Sequence, residues 1–91
     1  MKIKTISDLK TAIRSGPYAW PGGYPCYFVA ADGEALSFEA VRENLRLVMR
    51  ETKNPDYGQQ WRVIGVEINW EDNSLFCAHT SKRIESAYSE D

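Results

Sequence analysis

Trp61-Arg-Val-Ile-Gly-Val-Glu-Ile-Asn-Trp70 decides the fold, because it combines β-branched and aromatic residues with the period-two alternation of a strand. The alternation puts Ile64, Val66, Ile68 and Trp70 on one face and Trp61, Val63, Glu67 and Asn69 on the other. Glu71-Asp-Asn-Ser74 follows as a turn, and Leu75-Phe-Cys-Ala-His79 is expected to pair back antiparallel. A second hairpin is expected upstream. Pro25-Cys-Tyr-Phe-Val-Ala-Ala31 is rich in strand formers, Asp32-Gly33 is a turn pair, and Glu34-Ala-Leu-Ser37 returns.

Helical patterning precedes each hairpin. Ile6, Leu9 and Ile13 form one stripe, with Thr5 or Ser7 to cap it and Gly16-Pro17 to end it. Ser37 caps a longer helix through about Thr52, with Phe38, Val41, Leu45 and Val48 at core spacing and Glu39 in the first turn. Lys53-Asn-Pro-Asp-Tyr-Gly58 breaks it. From Thr80 to Asp91 the chain reads as a short helix or an extended wrap, with a frayed Ser-Glu-Asp end. The expected architecture is one α+β domain spanning residues 1–91. Its order is helix, hairpin, helix, hairpin, giving a largely antiparallel sheet with two helices on one face.

Ninety-one residues with 43% hydrophobic and 26% charged content suit one compact core and leave no length for a second domain. A net charge of -2 argues against general nucleic-acid affinity. Neither a membrane span nor a secretory leader is evident, so a cytoplasmic protein is expected, with Cys26 and Cys77 as buried thiols.

Tyr18-Ala-Trp-Pro-Gly-Gly-Tyr-Pro25 is the stretch with the strongest functional colour. Two prolines fix φ, two glycines permit a turn, and three aromatics would be costly to expose on a floppy loop. A rigid loop is expected, serving as core cover or as a recognition surface through Tyr18, Trp20 and Tyr24. Glu67, Glu71 and Asp72 form an acidic cluster that suits protein binding better than acid–base chemistry, since no nucleophile, phosphate loop or metal motif accompanies it. Arg42, Arg46 and Arg50 follow i, i+4 spacing interleaved with Glu39, Glu43 and Glu51, which reads as a solvated, ion-paired helix face. The sharper reading of Arg42 and Arg46 is a ridge that contacts phosphate or carboxylate groups. Cys77-x-His79 is the one cysteine–histidine pair at metal-like spacing, but two ligands fall short of a structural zinc site, and i, i+2 strand geometry does not make a nucleophile–base pair. No metal, no cofactor and no catalytic residue are therefore expected.

Tyr18-Ala-Trp-Pro-Gly-Gly-Tyr-Pro25, Asp32-Gly-Glu-Ala-Leu-Ser-Phe38, Ile68-Asn-Trp-Glu-Asp72, Cys77-Ala-His-Thr80 and Ile84-Glu-Ser-Ala-Tyr88 together resemble a group of small proteins encoded by tailed phages and prophages. The resemblance implies a bacterial host cytoplasm. It also implies a non-enzymatic accessory protein that binds and inhibits a host protein assembly, such as a CRISPR or other defence complex. The alternatives are a small metal-dependent or cysteine/histidine enzyme using Cys77 and His79, and a nucleic-acid-binding module using the helix-two arginines. A homodimer through the long strand is a further expectation.

Overall fold

The computed structural model describes residues 1–88, so the expected fraying of the last three residues lies outside the described residues. Helix α1 spans Ile6–Ser15 and starts on a reciprocal capping box. The Asp8 backbone N–H donates to Thr5 Oγ1, and the Thr5 N–H donates to Asp8 Oδ2. Gly16, at φ 82°, ends the helix. The chain then forms β1 (Tyr18–Ala19), β2 (Tyr24–Ala30) and β3 (Ala35–Leu36), followed by α2 (Phe38–Glu43), α3 (Leu45–Lys53), a 3-10 turn (Pro55–Tyr57) and β4 (Val63–Ile68). This is a small α+β domain with three α-helices and a four-stranded antiparallel sheet.

β2 organises the sheet. One of its edges pairs in succession with β1 and β3, and the other pairs with β4 along Cys26–Ala30. Val29 opposes Gly65 while Ala30 opposes Val63, which leaves Ile64 as the extra residue of a bulge. The bulge corrects the simple alternation expected of this strand. Val63 and Val66 both reach the core although three residues apart, and Ile64 is turned outward.

The hairpin expected from Leu75–His79 back onto β4 does not form. Both edges of β4 are taken, one by β2 and the other by the N-terminus, where Ile3 N–H donates to Ile64 O and Val66 N–H to Met1 O. Residues 75–77 pair instead with 82–84: Cys77 N–H donates to Lys82 O and Ile84 N–H to Leu75 O. The tail is the extended wrap, not the helix, and is tied to the end of β4 by Ala87 N–H to Asn69 O and Tyr88 N–H to Trp70 O.

The single long second helix is also corrected. Asn44 breaks it, with φ -117° and ψ 30°. Its side-chain amide donates to Ala40 O at 2.9 Å, and its backbone N–H donates to the same carbonyl at 3.1 Å, so both groups of Asn44 close the end of α2. Leu9, Val41 and Val48 from the helices meet Phe28, Leu36 and Val63 from the sheet in one core, with the Phe28 and Phe38 rings 4.3 Å apart. Each such fully buried side chain is worth roughly 1.5 to 3 kcal/mol.

Candidate functional site

The aromatic loop is a tight hairpin between β1 and β2, with Tyr18 opposite Pro25 and Ala19 opposite Tyr24. Its side chains explain its two glycines. The Trp20 ring lies over Gly23, where an added Cβ would come within 3.3 Å of it, and Gly23 has φ 67°. The Tyr24 ring lies so close to Gly22 that a Cβ there would overlap it at 2.4 Å. Tyr24 in turn packs on Trp70, with ring centroids 4.7 Å apart and planes tilted by 54°. Trp70 runs nearly parallel to Tyr88 at 6.3 Å.

Three aromatic rings from three separate segments, Tyr24, Trp70 and Tyr88, therefore adjoin in series. Beside the first two lies a groove of about 550 Å3 lined by Trp20, Pro21, Tyr24, Ile68 and Trp70, with no charged side chain in its wall. Trp20 is 77% exposed, so the loop presents its largest side chain to solvent and does not serve as core cover.

Strand geometry divides the residues singled out in the sequence. Cys26 opposes Ile68 and Tyr27 opposes Glu67, so Ile68 and Trp70 share one face of the sheet while Glu67 stands on the other. Burial raises the Tyr27 hydroxyl pKa, and the nearby Glu67 and Asp72 carboxylates add to it, placing both acids on the Tyr27 side. Asp72 also works within its own turn, accepting from the Ser74 N–H at 2.8 Å. Glu71 follows Trp70 directly and is exposed.

Tyr18 points away from Trp20. Its hydroxyl donates to Glu85 Oε1 at 3.0 Å, a bond that raises its pKa. It lines a second groove, of about 540 Å3, with Phe38, Arg42, Arg83 and Ile84. Tyr18 and Arg42 are thus brought together, whereas Arg42 and Arg46 are separated by the break at Asn44.

The ion-paired arginine face expected on this helix does not form. Arg42 donates to Ile13 O at 3.4 Å, and the Arg50 guanidinium lies 5.1 Å from the centre of the Tyr57 ring. The single ion pair among the described residues is Lys82–Glu39, at 3.9 Å and exposed, which contributes little. Arg46 stays exposed.

Cys77 and His79 point to different neighbours. Cys77 is 1% exposed, and its sulfur accepts from the Ser37 N–H at 3.4 Å. Burial pushes this thiol up, but hydrogen bonds from Ser37 and Thr80 together outweigh it and bring the pKa down to about 7. His79 is exposed and meets the edge of Trp61 at 4.9 Å. Among the described residues no three His, Cys, Asp or Glu side chains group as metal ligands. No described helix is long and apolar enough to cross a membrane.

The closure of Cys77 is directly measurable. In native protein a disulfide-exchange reagent should modify half-buried Cys26 and leave Cys77 unmodified until denaturant is added, because reaction needs access as well as thiolate. Two thiols reacting at equal rates would show that Cys77 is open to solvent.

Sequence reasoning found Trp20 and Tyr24 but placed Trp70 only on a strand face and missed Tyr88. The available signal for Trp70 was its place at the end of a strand, directly before a polar turn. No protein-family model, curated protein or solved structure matches the chain.

Proposed function

We propose that this chain is a non-enzymatic binding protein that docks on a bacterial host protein assembly through Trp20, Tyr24 and Trp70 and obstructs it, in the manner of a phage accessory protein acting on a CRISPR or other defence complex in the host cytoplasm. The observation that carries the binding role is the exposed Trp20, held on a hairpin whose glycines are shaped around its neighbours. Exposed tryptophan on a rigid support is a typical interface anchor, because little side-chain entropy is lost when it is buried by a partner. The host context rests on the resemblance to phage and prophage proteins. The two grooves flank the β1–β2 hairpin, so a partner that grips the hairpin would reach both Trp20 and Tyr18.

The test is affinity capture with tagged protein from bacterial hosts with and without an active defence system. Wild-type protein should retain a stoichiometric partner. Trp20→Ala should lower its recovery at least about tenfold, as truncation of an interface hot spot does. The paired Glu71→Ala and Asp72→Ala changes should mainly alter the salt dependence of capture, since both are exposed. Undiminished recovery with Trp20→Ala would remove the aromatic surface from the interaction.

A further inference from the structure

We propose that residues 84–88 form a strap that clasps the aromatic hairpin, so that tail and hairpin open as one unit and the position of Trp20 depends on the tail being closed. This adds a conformational control to the surface described above. Its use rests on the binding reading, and its mechanics do not.

The hairpin needs a fastening because the core does not supply one. Among the described residues, the core takes Ala12 and Ile13 from before the hairpin and Cys26 and Phe28 from after it, but not Tyr18, Trp20 or Tyr24. Among the described strands β1 pairs only with β2. Two ties reach the hairpin from the end of β4: the Asn69 N–H donates to Pro25 O at 2.9 Å, and the Trp70 ring packs on Tyr24. Both hold the β2 side, and neither holds β1.

The tail supplies the rest. Tyr18 shares one face of the hairpin with Pro25, its cross-strand neighbour, and Tyr24 shares the opposite face with Ala19. Glu85 accepts from the Tyr18 hydroxyl on the first face, at 3.0 Å. On the second, the Tyr88 and Tyr24 hydroxyls share a hydrogen bond, which raises the Tyr88 pKa. Three residues of extended chain span about 10 Å, enough to pass from one face to the other. The hairpin is thereby held against tilting either way.

The strap has one firm end. Ile84 is 6% exposed and belongs to the core, whereas Glu85 and Tyr88 are exposed and fastened by polar and ring contacts. Asn69 is the joint: its backbone N–H holds Pro25 of the hairpin, while its carbonyl holds Ala87 and its side-chain amide holds Ile84 and Glu85. Segments fastened in this way open at a small fraction of the global unfolding free energy. Because hairpin and tail share their fastenings, whatever loosens one loosens the other by the same factor.

Native-state hydrogen exchange of the full chain, read by NMR, is the test. The Cys26 N–H, bonded to Pro17 O, reports the hairpin, and the Ala87 and Tyr88 N–H groups report the tail. Ile3 and Val66, bonded across the other edge of β4, report the body. In wild-type protein the hairpin and tail amides should share one opening free energy, well below that of the body. Glu85→Ala combined with Tyr88→Phe alters only the tail, and should speed exchange at Cys26 and Ala87 equally, roughly three- to tenfold for each hydrogen bond removed, with Ile3 and Val66 unchanged. Tyr18→Phe alters only the hairpin, and should speed Ala87 and Tyr88 as much as Cys26. The wild-type comparison keeps the test valid should the double variant fail to fold. A hairpin that exchanges at its wild-type rate while the tail quickens, or a quickening of the body amides as well, would overturn the proposal. If the hairpin is unmoved while Trp20→Ala abolishes partner capture, the binding role stands and the strap alone falls.

Discussion

Asn69→Ala should lower the free energy of unfolding by about 3 kcal/mol, the sum of several ordinary hydrogen bonds and the cost of carbonyls left buried and unpaired. The residue is 3% exposed and joins three segments of the chain. Its amide nitrogen donates to the carbonyls of Asp72, Ile84 and Glu85, at 3.0, 3.3 and 3.1 Å. Its amide oxygen accepts from the Asp72 N–H at 3.1 Å. One side chain thus fixes both the turn after β4 and the tail that carries Tyr88 to Trp70. Asn69→Asp tests the same point through pH. A carboxylate facing three carbonyl oxygens is disfavoured, so the folded pKa of the introduced group would lie above its unfolded value. Its protonated form is then the tolerated one, and the variant should lose stability relative to wild type as pH rises through that folded pKa. Urea unfolding followed by tryptophan fluorescence provides the measurement. A loss below about 1 kcal/mol for Asn69→Ala would mean that the tail is not latched at this residue.

The contrast between Asn69 and its neighbours shows what local sequence conveys. The strands β2 and β4 were legible because β-branched and aromatic residues cluster there, and α1 and α2 because Thr5 and Ser37 are capping residues at the start of apolar stripes. Strand partnership was not legible. Period-two patterning identifies a strand but carries no information about which edge it meets, and here β4 crosses back to β2 instead of joining the segment that follows it. The N-terminal Met1–Ile3 segment took the last edge of β4 through backbone hydrogen bonds, which any sequence could make. Asn44 did carry a signal, since a mid-helix Asn can bond back to the carbonyl four residues earlier. Asn69 read only as one position on a strand face because its partners lie up to 16 residues away. The candidate site was half visible for the same reason. Trp20 and Tyr24 lie in one short motif, whereas Trp70 and Tyr88 join them only through β4 pairing and the tail wrap. Glu67 was separated from the aromatics by strand alternation, and Asp72 by the turn that follows β4.

The aromatic loop makes the sharpest distinction between a packed element and a presented side chain. Gly22→Ala and Gly23→Ala should each cost about 1 to 3 kcal/mol, the range typical of overpacking and of backbone strain, while Trp20→Ala should change stability by less than about 0.5 kcal/mol. At Gly23 the cause is conformational, since φ is 67° and an L side chain is strained there. At Gly22 the cause is steric, because a methyl group would sit 2.4 Å from Tyr24 Cε2. An isolated tyrosine would swing away at little cost, but this ring is packed on Trp70 at 4.7 Å, so relief at Gly22 must disturb that pair. Trp20 is different: its ring rests on Gly23 and otherwise faces solvent, so removing it forfeits little burial. Urea midpoints for the three variants, each paired with a partner-capture assay, separate the two roles. The glycine variants should lose stability and binding together, whereas Trp20→Ala should lose binding at a wild-type midpoint. A large midpoint shift for Trp20→Ala would assign that ring to the core, and wild-type midpoints for both glycine variants would mean that the hairpin is not braced against Trp70.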